Sequence, residues 1–368
     1  MTLTWLLPQT DSIPEEKAAA VLRHAAARRP DDGTLRLRLA RVLYARDCQQ
    51  EIVDLLAPLV ARDDAPEEAC LHYGRALLRL GDPHGAIAAL RRAGETTGTL
   101  ADAYFDSGRT DDALTAALEM LAQQPDERRS LSVASKVLLA RGATRTLLDL
   151  CRDLRSRGGR NAEIDALLAL SAWAQGAPEC DALLDRRRFA QIDDLRDAAF
   201  NAALAGEILA HPLLERSPGY KATRGDGVRI DHIGRHGGPL AQALLADIQA
   251  HIETYAAARA IDLPQTVKLA SWALVLRGDG HETWHIHPAA RISGVYYVQA
   301  PERAGEIGFG PLRPVADRDM TDFPSWTLTP RAGMLLLFPS HFAHRTWPTL
   351  TDAPRISVAF DVMPAQES

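Results

Sequence analysis

The sequence predicts an α+β multidomain protein, with an all-α helical repeat solenoid over residues 1–185 followed by an antiparallel barrel or sandwich with supporting helices over residues 186–368. Three observations predict it. From Pro14 to about Asp185 the chain is rich in Ala, Leu and Arg, and its apolar residues recur at helical spacing with almost no strand signal. Turn glycines recur through the same stretch at a near-constant interval. From Thr266 onward short apolar runs alternate with Pro and Gly clusters, the pattern of many short strands. A chain of 368 residues exceeds the usual size of one compact domain, so each part can bury its own core.

In the first part, Ala65 to Leu78 shows the helical spacing clearly. Ala40 matches Gly74 and Asp47 matches Gly81 at a period of 34, Gly81 to Gly108 is a shorter step of 27, and Gly108 to Gly142 and Gly142 to Gly176 return to 34. A small or aliphatic pair follows each turn: Ile52-Val53, Ala86-Ile87, Ala113-Leu114 and Leu147-Leu148. A glycine between two helices, followed by residues that let them approach closely, is what a stacked helical hairpin needs. The pattern resembles tetratricopeptide repeats, most clearly at Gly81-Asp82-Pro83-His84-Gly85-Ala86 and Gly108-Arg109-Thr110-Asp111-Asp112-Ala113, although the aromatic residue late in most such repeats is missing. Such an array implies either a concave surface for an extended peptide or a platform for packing and homo-oligomer formation.

Between about Arg186 and Pro264 the reading changes to helices over Phe200 to Leu214 and Leu240 to Ala260, joined by a Gly-rich loop with short strands from Arg216 to Pro239. The strand-like runs then follow: Val267 to Leu276, His285 to His287, Ile292 to Val298, Gly305 to Phe309, Met334 to Phe338 and Ile356 to Val362. Helices followed by many short strands point to a barrel or sandwich backed by helices.

Charge and composition exclude several functions. The formal net charge of −6 and pI near 6.1 give no general attraction to phosphate backbones, so no nucleic acid partner is expected. Lys17, Lys136, Lys221 and Lys268 are the only lysines, and the arginines are mixed with acids along helical faces as on a solvated surface. Cys48, Cys70, Cys151 and Cys180 follow no metal-type spacing and read as idle thiols. The first twenty residues hold only the short apolar run Trp5-Leu6-Leu7, with no basic start and no cleavage site, and no apolar stretch could span a bilayer. No membrane association is expected, and a cytoplasmic location is.

The chemistry-bearing residues lie in the second half. His285-Ile286-His287 opens a strand-rich run, and residues two apart on a strand share a face, so both imidazoles can meet one metal ion. His344 follows the apolar strand Met334 to Phe338 after a short turn containing Pro339. Eleven residues later, Arg355-Ile356-Ser357 opens another apolar strand. His281 and His341 are the nearest rivals for a coordination place. Trp272, Trp284 and Trp347 read as core or pocket wall, and Arg291 as a solvated loop residue or a contact for an acidic substrate.

The order His285-x-His287, Ser293-Gly294-Val295-Tyr296-Tyr297-Val298, Gly333 to Ser340 with His344, and Arg355 to Phe360 resembles the 2-oxoglutarate/iron(II) oxygenases related to prolyl hydroxylases. Ser271-Trp272 and Gly278 also fit, so the resemblance covers roughly residues 198–364. It implies a double-stranded β-helix (jelly-roll) in which His285 and His344 bind Fe(II). Arg355 would grip the far carboxylate of the co-substrate 2-oxoglutarate, Ser357 would complete an Arg-x-Ser pair, and Tyr297 would hydrogen-bond the co-substrate. Arginine suits that task because its planar, permanently charged fork matches a carboxylate. Position 287 departs from the family: His287 stands where the usual triad has a carboxylate, leaving three neutral ligands.

The resemblance implies an enzyme in which O₂ is consumed, 2-oxoglutarate is converted to succinate and CO₂, and a substrate C–H bond is oxidised, with hydroxylation as the usual outcome. A repeat module beside such a site suggests a peptide or protein side chain as substrate, by analogy of architecture. Two alternatives stand beside this reading. One is a non-enzymatic interaction protein whose barrel has lost productive oxidation at His287. The other is a three-histidine dioxygenase or hydrolase acting on a small molecule without 2-oxoglutarate, against which the Arg355-x-Ser357 pair speaks.

Overall fold

The computed structural model describes residues 3–5, 15–94, 98–219, 221–316 and 318–365; Leu6, Leu7 and Pro14, named above, lie outside them. The chain divides into two compact units, one of Asp11–Arg141 with Arg157–Gly159, the other of Met1–Thr10, Gly142–Ser156 and Arg160–Ser368. Helical grammar runs on to about residue 185, but the division of the fold falls at Gly142, so the last repeat-like helices are counted with the strands.

The helical unit contains α1 (Glu15–Arg28), α2 (Gly33–Ala45), α3 (Gln49–Val60), α4 (Glu67–Arg79), α5 (Pro83–Arg92), α6 (Gly98–Asp106), α7 (Thr110–Gln123) and α8 (Arg128–Ala140). Each helix packs on the next, and α2 on α4 and α6 on α8, as stacked hairpins require. The turn positions read from the sequence are left-handed: Gly81 has φ +83° and Gly108 +79°, and Asp47, which occupies the matching place in an earlier repeat, takes φ +58° without being glycine. Ile52, Ala86 and Ala113, which follow these turns, are completely buried. The short step between Gly81 and Gly108 has its cause in two short helices, α5 of 10 residues and α6 of 9.

In the other unit, α9 (Thr144–Ser156), α10 (Ala162–Gln175) and α11 (Glu179–Leu183) continue the pattern, with Gly142 and Gly176 again left-handed. Almost every residue of α10 from Ala162 to Ala174 is buried, the mark of a helix enclosed on all sides. Its partners lie in the strand-rich part: Arg313 pairs with the buried Glu163 at 2.8 Å, Arg318 donates to the Ala174 carbonyl at 2.8 Å, and Trp173 meets Phe323 edge-on at 5.4 Å.

The strands are β1 (Thr4–Trp5), β2 (Ala190–Ile192), β3 (Glu215–Arg216), β4 (Thr223–Arg224), β5 (Gly227–Asp231), β6 (Thr266–Leu276), β7 (His281–Glu282), β8 (Ile292–Gln299), β9 (Ile307–Phe309), β10 (Trp326–Leu328), β11 (Leu335–Pro339), β12 (His344–Thr346) and β13 (Arg355–Pro364). The large sheet runs β2-β11-β8-β13-β6-β5-β3 with β1 added on β6, and a second sheet runs β10-β9-β12. Among the described residues every strand pairing is antiparallel except β1 with β6. The helices α12 (Ala198–Leu209), α13 (Ile233–His236) and α14 (Pro239–Ala258) support the large sheet from behind. This is the jelly-roll with supporting helices that the sequence leads one to expect.

Pleating sorts the side chains. On β13, Ile356, Val358, Phe360 and Val362 point to one face and join Leu244, Ile248 and Ile252 of α14 in one hydrophobic core. Arg355, Ser357 and Ala359 point to the other face and line a cavity between the sheets. Gly294 of the Ser-Gly-Val-Tyr-Tyr run faces Phe360 across the β8–β13 pair; a Cβ there would meet the Phe360 ring at 2.3 Å and the Leu336 carbonyl oxygen at 2.5 Å, so nothing larger than glycine fits.

Some elements differ from expectation. The stretch Arg216 to Pro239 holds real strands and α13, and α12 ends at Leu209 rather than Leu214 because His211 accepts the Leu213 amide and turns the chain. His285 to His287 is not a strand. His285 forms one isolated antiparallel bridge to His344, and the His287 amide reaches the Ser340 carbonyl at 3.3 Å.

Candidate active site

The bridge between His285 and His344 sets their backbones side by side, and the hydrogen bond from the His287 amide to the Ser340 carbonyl brings His287 to the same place. Ring centroids lie 4.3 Å apart for His285 and His344, 5.1 Å for His285 and His287, and 5.2 Å for His287 and His344. One ligand nitrogen from each of the three lies within 4.8 Å of the other two.

Hydrogen bonds at the rear of each ring decide which nitrogen looks inward. His285 Nδ1 lies 2.7 Å from the Thr283 carbonyl and His344 Nδ1 2.9 Å from the Phe342 carbonyl. A carbonyl oxygen only accepts, so Nδ1 carries the proton in both rings and Nε2 keeps its lone pair. His287 Nδ1 lies 2.9 Å from Asp361 Oδ2, which fixes the same tautomer. His287 Nε2 and His344 Nε2 then face each other at 3.4 Å, two lone pairs that repel unless a cation lies between them. The donor set therefore fits a metal ion, with each ring held from behind by an oxygen.

Burial drives the pKa of His344 well below the ordinary histidine value, with His285 and His287 adding to the effect, and burial lowers His285 as well. Both rings are thus neutral, as ligands must be. At His287 burial also pulls downward, but the charge and hydrogen bond of Asp361 outweigh it and the net shift is upward.

A cavity opens in front of these rings; the empty space there, open solvent included, is about 490 Å³. Its apolar walls are Trp272, Leu274, Leu276, Val295, Ile307 and Phe338. Arg355, Tyr297, Ser357, Thr346 and Glu282 line it as well. Arg355 is 2% exposed; it donates to the Ala304 carbonyl at 2.7 Å and to Thr346 Oγ1 at 2.8 Å, so its guanidinium is held before any ligand arrives. Burial lowers its pKa, and Tyr297 and Glu282 oppose the shift. The β8–β13 register slips between Ile356 and Ser357, and Ser357 pairs with Tyr297 just past that irregularity. Thr346 stands two residues along β12 from His344, about 7 Å of strand.

All six site residues singled out in the sequence line one cavity. The rivals do not join them: His341 is turned to the Leu183 carbonyl at 2.9 Å and His281 to the Asp279 carbonyl at 2.8 Å. Trp272 lies beside the His287 ring at 5.7 Å between centroids, Arg345 covers Trp284 and Trp347, and Arg291 reaches back to the Arg160 carbonyl. Glu282, Thr346 and Asp361 escaped the sequence reading, and Ser293 and Ser340 entered it only as members of motifs, with no role. For Asp361 a signal existed: it continues the inward series of Arg355, Ser357 and Ala359, an acid in an otherwise apolar strand.

Residues 270–361 match the family described as "Putative 2OG-Fe(II) oxygenase". Over these residues the barrel is similar to the 2-oxoglutarate/iron(II) oxygenases. The matched residues include the three histidines, Tyr297, Arg355, Ser357 and Asp361. No curated protein matches the chain. Among solved structures the chain is similar to a Pseudomonas putida prolyl-4-hydroxylase (16% identity, 48% of this chain and 92% of that one, TM-score 0.39). It is also similar to a Trichoplax adhaerens prolyl hydroxylase in complex with a hypoxia-inducible-factor peptide fragment (14%, 54% and 90%, 0.37). A third is HygX from Streptomyces hygroscopicus with nickel and 2-oxoglutarate bound (16%, 52% and 88%, 0.36). The family uses iron(II), 2-oxoglutarate and O₂. No helix among the described residues is long and apolar enough to cross a membrane.

Proposed function

We propose that the oxygenase domain hydroxylates a side chain of a peptide or protein, and that the helical repeats, of tetratricopeptide type over residues 1–185, take part in recognising it. The observation that carries the oxygenase part is the convergence of three imidazole rings and a pre-held arginine in one cavity. His285, His287 and His344 would hold iron(II), which supplies activation of O₂ at the expense of 2-oxoglutarate. Arg355 binds the far carboxylate of the co-substrate, with Tyr297 and Ser357 beside it. Trp272, Leu274, Val295 and Phe338 exclude water from the reacting end. Stacked helical hairpins offer the extended surface that a peptide needs, which supports the substrate class. The same hairpins serve for a homo-oligomer, and the cytoplasm suits four free cysteines among the described residues.

The test incubates the full chain with iron(II), 2-oxoglutarate, O₂ and a peptide library. The expected products are succinate and peptides heavier by one oxygen atom. A chain beginning at Gly142 should keep slow, substrate-free conversion of 2-oxoglutarate and show a raised KM for the peptide. An unchanged KM would remove the repeats from recognition, and absence of any 2-oxoglutarate turnover would remove the oxygenase reading.

A further inference from the structure

The usual carboxylate ligand is replaced by His287, yet a carboxylate sits directly behind that ring. Asp361 Oδ2 accepts from His287 Nδ1 at 2.9 Å. Its other oxygen, Oδ1, accepts from Ser293 Oγ at 2.7 Å, and Ser293 Oγ lies 2.8 Å from Ser340 Oγ. Asp361 is 8% exposed, and Ser293 and Ser340 are each 1% exposed. The arrangement follows from the sheet: Asp361 and Ser293 are directly opposed on β13 and β8, and both point toward the cavity side. Buried carboxylates are costly unless charged partners or donors compensate them, and no arginine or lysine salt bridge to Asp361 exists among the described residues. Its compensation comes from the His287 imidazole on one oxygen and the Ser293 hydroxyl on the other.

We propose that Asp361 is a positioning residue for the metal centre, returning through the His287 imidazole the negative charge that the missing carboxylate ligand would have supplied directly. A carboxylate hydrogen-bonded to the far nitrogen of a ligand histidine fixes the ring and raises its basicity toward the metal. Ser293, with Ser340 behind it, holds the carboxylate in the plane that this requires. His287 thereby acts as a longer, relayed version of the acidic ligand, and a site of three neutral donors retains charge balance for a divalent ion.

This inference rests on the proposed metal role of the three histidines, and the experiment separates the two. Co(II) is titrated, in the absence of 2-oxoglutarate, into the full-length wild type, Asp361→Asn, Ser293→Ala and His287→Ala, with visible absorption reporting the coordination and thermal unfolding reporting the fold. Asn keeps the size of the side chain and an oxygen that accepts from Nδ1, and removes only the charge. Asp361→Asn is expected to bind Co(II) about 10- to 100-fold more weakly with a shifted spectrum and a native-like melting temperature, the scale for losing such an outer partner. Ser293→Ala should weaken binding less, in the same direction, and Asp361→Glu should recover part of the loss. Wild-type affinity and spectrum in both Asp361→Asn and Ser293→Ala would overturn the proposal while leaving the metal site standing. Tight binding in His287→Ala that disappears on adding Asp361→Asn would also overturn it, since Asp361 would then be a ligand itself. Failure of the wild type to bind Co(II) would overturn the metal site and this proposal together.

Discussion

The two faces of β13 share a backbone and are almost equally buried, yet they do different work. Ile356, Val358, Phe360 and Val362 are at most 1% exposed and close the core against α14, whereas Arg355, Ser357 and Asp361 are 2–8% exposed and build the site. Apolar side chains on the outer face need only be excluded from water. Polar ones on the inner face must each find a partner, and the partners come from elsewhere: Thr346 and the Ala304 carbonyl for Arg355, Ser293 and His287 for Asp361. A substitution on one face should therefore change stability, and on the other, ligand binding.

The largest effect is expected at the histidines in front of the inner face. His344→Ala should abolish stoichiometric divalent-metal binding while the melting temperature stays within a few degrees, measured by metal analysis and calorimetry. Full metal content would mean that the three-histidine cluster is not the site. On the outer face, Phe360→Ala leaves a void over Gly294 and should destabilise the fold by about 3–5 kcal/mol in denaturant titrations, with unchanged metal content per folded molecule. Loss of metal from the folded fraction would show that the two faces are not separable.

Arg355→Ala should keep the metal and weaken 2-oxoglutarate by about 2–5 kcal/mol in anaerobic calorimetry, the cost of leaving a buried carboxylate unpaired. Equal loss of metal and co-substrate would merge the two ends of the cavity into one unit. The smallest effect concerns His341, which belongs to neither face. Burial lowers its pKa, with Asp165 opposing, so the folded state binds fewer protons than the unfolded chain below the ordinary value of about 6.5. Its contribution is complete above that pH and is lost as pH falls toward the folded value, at up to about 1.4 kcal/mol per pH unit. His341→Gln can still donate to Leu183, so the stability of this variant should depend less on pH below 6.5.

Local chemistry was legible in the sequence. Left-handed turns at Gly81, Gly108, Gly142 and Gly176 need glycine or a tolerant residue such as Asp47, and period-2 runs need strands; both are properties of a few neighbouring residues. The residues that line the cavity were legible for a related reason, since His285-x-His287, His344 and Arg355-x-Ser357 carry their identity in residue type and order. Their secondary structure was less so: His285 and His287 converge through a bridge and a backbone hydrogen bond, because the partners that hold that segment are the distant His344 and Ser340.

What only the tertiary structure decided is long-range pairing. Residues 142–183 read like the repeats before them, but Glu163, Trp173 and Ala174 meet Arg313, Phe323 and Arg318, about 150 residues away, and so α10 is enclosed with the barrel. Asp361 likewise reads as one acid near the end of a strand until β8 brings Ser293 opposite it and His287 is laid across its other oxygen. Sequence patterns set what each residue can do within a turn or a pleat. Which residue it does it with depends on contacts closed across the whole chain, whose entropy cost is repaid only when the complete core forms.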